Sequence, residues 1–145
     1  MHQPTLEEKI GTVVKIGTHR LKGWELSMSH GDKTHAYANI IVAGKDDCVD
    51  GVLYKLSDQQ IKKMDDLVCY PNIYQKAYFV IDGDVAFTYV SRLACNFSKA
   101  VPSVYYLMQM IKGAKYQQLY ETADALQEYA KVVADCRHMQ SNKVY

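Results

Sequence analysis

Apolar and polar residues alternate with a period of two over much of the first half of the chain, and with a helical period in three later stretches. "TVVKIG" is apolar enough for a strand, and Gly17 marks a turn after it. In "HRLKGWELSM", Leu21, Gly23, Glu25 and Ser27 alternate with Lys22, Trp24, Leu26 and Met28. The second set is the more apolar, which predicts a half-buried strand with Trp24 and Leu26 inward. "SHGDKT" has the composition of a turn. "HAYANIIVAG" reads as a strand closed by Gly44, "KDDCVD" as a polar link, and "GVLYKL" as a strand with Val52 and Tyr54 on one face.

"SDQQIKKMDDL" carries the clearest helix signal. Ser57 and Gln60 have the spacing of a capping box, and Ile61, Met64 and Leu67 follow at helical intervals. "YQKAYFVID" and "VAFTYV" are joined by "DGD", which predicts a hairpin. "ACNFSKAVPS" reads as a loop in which Pro102 opens a helix with Val104, Leu107, Met108 and Ile111 on one face. Gly113 either admits a close contact or ends that helix. A further helix spans Leu119 to Val133, and residues 5–10 suit a short charged helical turn. The order predicts one domain over residues 1–136, of α+β (mixed α/β) class, followed by a polar tail over 137–145 that frays.

A chain of 145 residues suits one domain that buries roughly 65–70% of its unfolded surface. Seventeen basic and sixteen acidic residues give a formal net charge of +1. That balance offers no basic face for nucleic acid and no polybasic patch for a membrane. "MHQPTLEEKIG" has no apolar signal region, and no apolar run approaches the ~18–20 residues that span a bilayer. Cys48, Cys69, Cys95 and Cys136 are dispersed, with no CxxC. They are expected to be buried free thiols in a reducing, cytoplasmic compartment rather than disulfides or zinc ligands. Tyrosine is over-used, at 12 residues, which favours interfaces and wet pockets as well as core.

Motifs for nucleotide, phosphate or zinc binding and for a nucleophile elbow are absent, so no cofactor and no metal are expected. His19, His30 and His35 are scattered, although a tight hairpin over residues 31–34 would set His30 and His35 face to face. Asp65 and Asp66 point about 100° apart on a helix and do not form a paired-carboxylate site. Both stand near the negative end of the helix dipole, an unfavourable place for a surface carboxylate. The leading reading is that one of them ties down the loop that follows; the other is that one has a chemical task. Cys69 has no base nearby in sequence.

"RLKGWELSM", "AYANIIVA", "VDGVLYKLSDQQIKKMDDL", "YQKAYFVI", "TYV" and "VPSVYYLMQMIKGAK", in that order, resemble the gamma-glutamylcyclotransferase and AIG2-like family over about residues 12–130. The resemblance implies a small mixed β-barrel with flanking helices. It also implies a reaction without metal or nucleotide, in which a substrate's α-amine attacks its own γ-carbonyl and 5-oxoproline leaves. Tyr54, Tyr74, Tyr89 and Tyr106 match positions of the family's pocket wall or its support, and at least Tyr74 and one other are expected to converge. Two departures stand against activity. Nothing before Thr12 resembles the family's Tyr-Gly-Ser-Asn turn, which cradles the substrate. Val68 falls where the family has its proton-shuttling glutamate, and Cys69 where it has a glycine. Asp66, two residues earlier, is the candidate displaced acid–base. The expected function is a catalytically silent scaffold that binds a small gamma-glutamyl or amino-acid-like ligand or a protein partner; the alternative is an active cyclotransferase with a remodelled site. A missing central strand would leave open edges, to be covered by a homodimer or by residues 5–16.

Overall fold

In the computed structural model, which describes residues 2–31, 35–91 and 101–141, ten elements follow one another along the chain. They are α1 (Gln3–Ile10), β1 (Val14–Lys22), β2 (Trp24–Gly31), β3 (Ala36–Val42), β4 (Cys48–Lys55), α2 (Asp58–Leu67), β5 (Tyr74–Ile81), β6 (Asp84–Ser91), α3 (Val104–Tyr116) and α4 (Tyr120–Ser141). Local chemistry explains most of the boundaries. Ser57 Oγ accepts the Gln60 N–H at 3.3 Å and Gln60 Oε1 accepts the Ser57 N–H at 2.9 Å, closing the capping box of α2. Ser103 Oγ accepts the Tyr106 N–H at 3.0 Å and starts α3 just after Pro102. Asp82 and Gly83 both have positive φ, +53° and +90°, and make the two-residue turn of the β5–β6 hairpin.

The chain turns at Gly23 rather than at Gly17. Gly23 has φ +77°, while Gly17 stays within β1 opposite Leu53. The alternating stretch is therefore two strands, and its Trp24 and Leu26 are half-buried as expected. Gly113 lies buried inside α3, which runs on to Tyr116. The last helix continues through Ser141, past the Val133 at which its apolar pattern stops.

Among the described residues the strands form three two-stranded antiparallel ribbons, β1–β4, β2–β3 and β5–β6. The expected closed barrel is not formed, although the mixed α/β class with flanking helices is. Closure needs two ladder neighbours for every strand, and each strand here has one. β3 runs beside β6 without a ladder, and side chains join them instead: the Ser91 N–H donates to Asn39 Oδ1 at 2.9 Å. Residues 5–16 do not supply an added strand, since they form most of α1, a short link and the start of β1. Gln60 Nε2 fastens that arm by donating to the Thr12 carbonyl at 2.7 Å.

The core sits between the two long helices. Leu107 and Ile111 of α3 pack with Leu126, Ala130 and Val133 of α4, and Leu26 and Met28 of β2 close over them. The expectation of buried thiols fails for the three described cysteines: Cys48, Cys69 and Cys136 are all exposed. Cys48 opens β4, Cys69 sits in a loop, and Cys136 lies on the outer face of α4. Cys95 lies outside the described residues. No described helix is long and apolar enough to cross a membrane.

Leu107 has no solvent exposure. Leu107→Ala is expected to destabilise the chain by roughly 2–5 kcal/mol, through lost transfer energy and the cavity left behind. Urea unfolding measures it; a loss well under 1 kcal/mol would mean that the α3–α4 seam is not the stabilising core.

Candidate functional site

The loop between α2 and β5 is wound tightly by its own backbone. The Val68 N–H donates to the Met64 carbonyl at 3.0 Å, and the Tyr70 N–H to the Asp65 carbonyl at 2.9 Å. The N–H groups of Asn72 and Ile73 both donate to the Cys69 carbonyl at 2.9 Å. Cys69 has φ +53° and the Tyr70–Pro71 bond is cis.

Asp65 reaches from α2 to the hairpin. Lys76 Nζ lies 2.8 Å from its carboxylate, and Tyr89 Oη donates to it at 2.5 Å. The Lys76 ammonium also stands over the rings of Tyr70 and Phe87, 4.5 and 4.9 Å from their centroids. Such contacts favour a partly desolvated cation. Partial desolvation pushes the Asp65 carboxyl upward, but the hydrogen bonds from Lys76 and Tyr89 and the Lys76 charge outweigh it and hold it below its ordinary value. Burial, then the bond to Asp65, push the Tyr89 phenol well up. The Asp65 side chain thus ties α2 to the β5–β6 hairpin. Asp66, its neighbour, is exposed on the other side of the helix turn, and Val68 is half-buried at the helix cap.

A second cluster lies where β2, β3, β5, β6 and α3 meet. His30 Nδ1 is 2.7 Å from Ser91 Oγ. The His30 ring lies 4.7 Å from that of Tyr74 and 6.2 Å from that of Tyr37, and Tyr37 meets Tyr106 edge-on at 5.3 Å. Tyr106 Oη accepts the Ala38 N–H at 3.1 Å. Burial lowers the pKa of His30 and raises those of Tyr74 and Tyr106. The four tyrosines singled out in the sequence therefore divide. Tyr74 and Tyr106 share this cluster, Tyr89 belongs to Asp65, and the Tyr54 hydroxyl accepts from Gln117 Nε2 at 2.9 Å at the end of α3. Lys76 and Ser91 carry no sequence signal as site residues, and His30 carries one only toward His35, since the partners are brought together only by the fold.

A third polar group lies at the β1–β4 ribbon. Arg20 binds Asp50 through two bonds of 2.8 and 3.1 Å and reaches Glu121 at 3.0 Å, beside a cleft of about 560 Å³. The guanidinium, which outweighs partial burial, holds the Asp50 carboxyl below its usual range. Among the described residues no group of three or more His, Cys, Asp or Glu side chains is placed to hold a metal ion.

The family model described as "Gamma-glutamyl cyclotransferase, AIG2-like" matches residues 1–108. The chain belongs to this family. The matched part contains all six described strands, α1, α2 and the start of α3, and leaves α4 outside. Solved structures share the family fold. One described as "Gamma-glutamyl cyclotransferase" has a TM-score of 0.71 at 17% identity, over 87% of this chain and 80% of its own. YkqA from Bacillus subtilis has a TM-score of 0.67 at 15% identity, over 88% of this chain and 48% of its own, so this chain spans about half of YkqA. An uncharacterized protein from Homo sapiens has a TM-score of 0.64 at 18% identity, over 88% of this chain and 83% of its own. No curated protein gives a significant match.

Because its folded pKa is lowered, the Asp65 carboxylate contributes stability above the unfolded-state value near 3.9, and that contribution is lost as pH falls through the folded value. Asp65→Asn is expected to cost roughly 1–3 kcal/mol at pH 7, from loss of the charged hydrogen bonds to Lys76 and Tyr89. The gap between variant and parent should close as the parent's carboxyl protonates in acid. Urea melts at pH 7 and pH 3 that show the same gap would contradict this role.

Proposed function

We propose that this member of the cyclotransferase family is silent in cyclotransferase chemistry and serves as a scaffold that binds a small gamma-glutamyl or amino-acid-like ligand. The observation that carries the reading is the disposition of carboxylates around the α2 cap. Asp65 is held by Lys76 and Tyr89, and a carboxylate so engaged, with its pKa lowered, is a poor proton shuttle. By the sequence resemblance, Val68 falls where the family has its glutamate, and a valine has no proton to exchange. Asp66 is exposed rather than turned into the fold. Tyr74 and Tyr106, and with them Val68 and Cys69 of the α2 cap, are the residues we assign to the ligand's surroundings. We further propose that the open edges of the three ribbons are covered in a homodimer, since unpaired strand edges invite pairing. Exposed free thiols suit a reducing, cytoplasmic setting.

The test is a chromatographic assay for 5-oxoproline over a panel of gamma-glutamyl amines and peptides. The chain is expected to release none at an enzymatic rate. Val68→Glu alone is expected to restore little, because a shuttled proton contributes ~10²–10⁴-fold and substrate positioning is a separate factor. Robust turnover abolished by Asp66→Asn would refute the silent scaffold and make Asp66 the displaced acid–base of an active cyclotransferase.

A further inference from the structure

His30 of β2 and Ser91 of β6 pair across the junction of two ribbons. Ser91 ends β6 opposite Tyr74, and its N–H is fixed by Asn39 Oδ1, a group on a residue only 8% exposed. His30 comes from β2, just past the irregular register between Ser27 and His30 that re-aims the strand. The two side chains meet at 2.7 Å although 61 residues separate them. We propose that Ser91 and His30 form a nucleophile–base dyad that accepts acyl groups from activated esters or thioesters.

Three features support this. A hydroxyl in a short hydrogen bond to an imidazole nitrogen is the arrangement that activates serine. Burial among Tyr37 of β3 and Tyr74 of β5 keeps the imidazole in its neutral, proton-accepting form at pH 7. With the ring proton on Nε2, Nδ1 is the acceptor of the Ser91 hydroxyl proton. Tyr37, at 41% exposure, puts one side of the cluster at the surface, and His30 and Ser91 are themselves partly exposed. No carboxylate bonds His30 among the described residues, so the base lacks the support that the full triad gives. A base of that strength suits good leaving groups and not amides, which separates this activity from gamma-glutamyl chemistry.

The step balances with water as the only co-reactant. Ser91 Oγ forms a bond to the acyl carbon while its proton passes to His30 Nδ1. The bond from that carbon to the alkoxy or thio group breaks, and the leaving group takes the proton from His30. Water, deprotonated by the same nitrogen, then attacks the acyl-serine, releases the carboxylic acid and returns the proton to Ser91.

The experiment uses the full chain with two probes, diisopropyl fluorophosphate and p-nitrophenyl acetate. The first is expected to give a single adduct, located at Ser91 by peptide mass, as a P–O bond forms and fluoride leaves. The second is expected to release about one nitrophenolate per chain in a burst followed by slower turnover. His30→Asn, which keeps a hydrogen-bonding side chain but cannot take the proton, should slow both by at least ~10²-fold. Ser91→Ala should abolish both, with circular dichroism confirming its fold. If Ser91→Ala does not fold, Ser91→Cys replaces it, and alkylation at residue 91 should be faster with His30 present than in the double variant with Asn. No adduct at Ser91 in the folded chain, no burst, or rates unchanged by His30→Asn would each overturn the dyad and leave the contact as a strand-to-strand tie.

Discussion

Every strand described in this fold has one hydrogen-bonded neighbour, so every strand has a second edge that must be dealt with in some other way. A buried backbone group left without a partner costs about as much as a lost hydrogen bond, roughly 1–3 kcal/mol. The polar side chains at the ribbon junctions meet that demand. Asn39 takes the Ser91 N–H, Tyr106 takes the Ala38 N–H, and Gln60 gives a donor to the Thr12 carbonyl. Asn39 is buried, while Tyr106 and Gln60 are partly exposed, and all three join elements that no ladder joins. The helical seam of Leu107, Ile111, Leu126, Ala130 and Val133 supplies the apolar burial that a closed sheet would otherwise share.

What the sequence discloses follows from how local each feature is. The capping box at Ser57 and Gln60 and the Asp82–Gly83 turn involve residues at most three apart, and both form as read. The apolar faces of α3 and α4 are likewise periodic within one element. Barrel closure is different. It depends on which ribbon edges meet, and no periodicity within a strand specifies that. The misplaced turn at Gly17 shows a related limit, because glycine supplies freedom without saying whether the chain uses it. Gly17 remains in the ladder while Gly23 takes the positive φ, aided by its bonds to the Asp47 carbonyl and the Ala43 N–H. The thiols misled for another reason: cysteine is often buried on average, but its burial follows from the element it lands on. Family membership was legible because it rests on the order of many short segments. The grouping of His30 with Ser91 was not, because nothing in either segment points to the other.

The two adjacent aspartates show how one helical turn assigns different roles to identical side chains. The ~100° step between neighbours sends Asp65 toward the hairpin and Asp66 toward water. Lys76 is the partner that makes the first direction favourable, since it brings a charge and sits among Tyr70 and Phe87, whose rings stabilise that charge where water is sparse. The pair therefore anchors the end of α2, the loop and the hairpin at once. A carboxylate at the C-terminal end of a helix faces the negative pole of the dipole, a disadvantage of about 0.3–1 kcal/mol. The lysine and the Tyr89 hydroxyl more than offset it, as the lowered pKa of Asp65 reflects.

The same electrostatics bear on Val68. It caps α2 one residue beyond Leu67, where the last carbonyls of the helix point and where Asp65 already carries a negative charge three residues back. A glutamate at that position would meet both, and it would need compensation from a substrate ammonium or from nearby donors. A chain that performs proton transfer there has reason to bear that cost, because a carboxylate in a repulsive field has the raised pKa that a proton shuttle requires. A half-buried valine bears none of it. Among the described residues of the cap region, Asp65 is the carboxylate turned to the hairpin, and its charge is compensated by Lys76 and the Tyr89 hydroxyl.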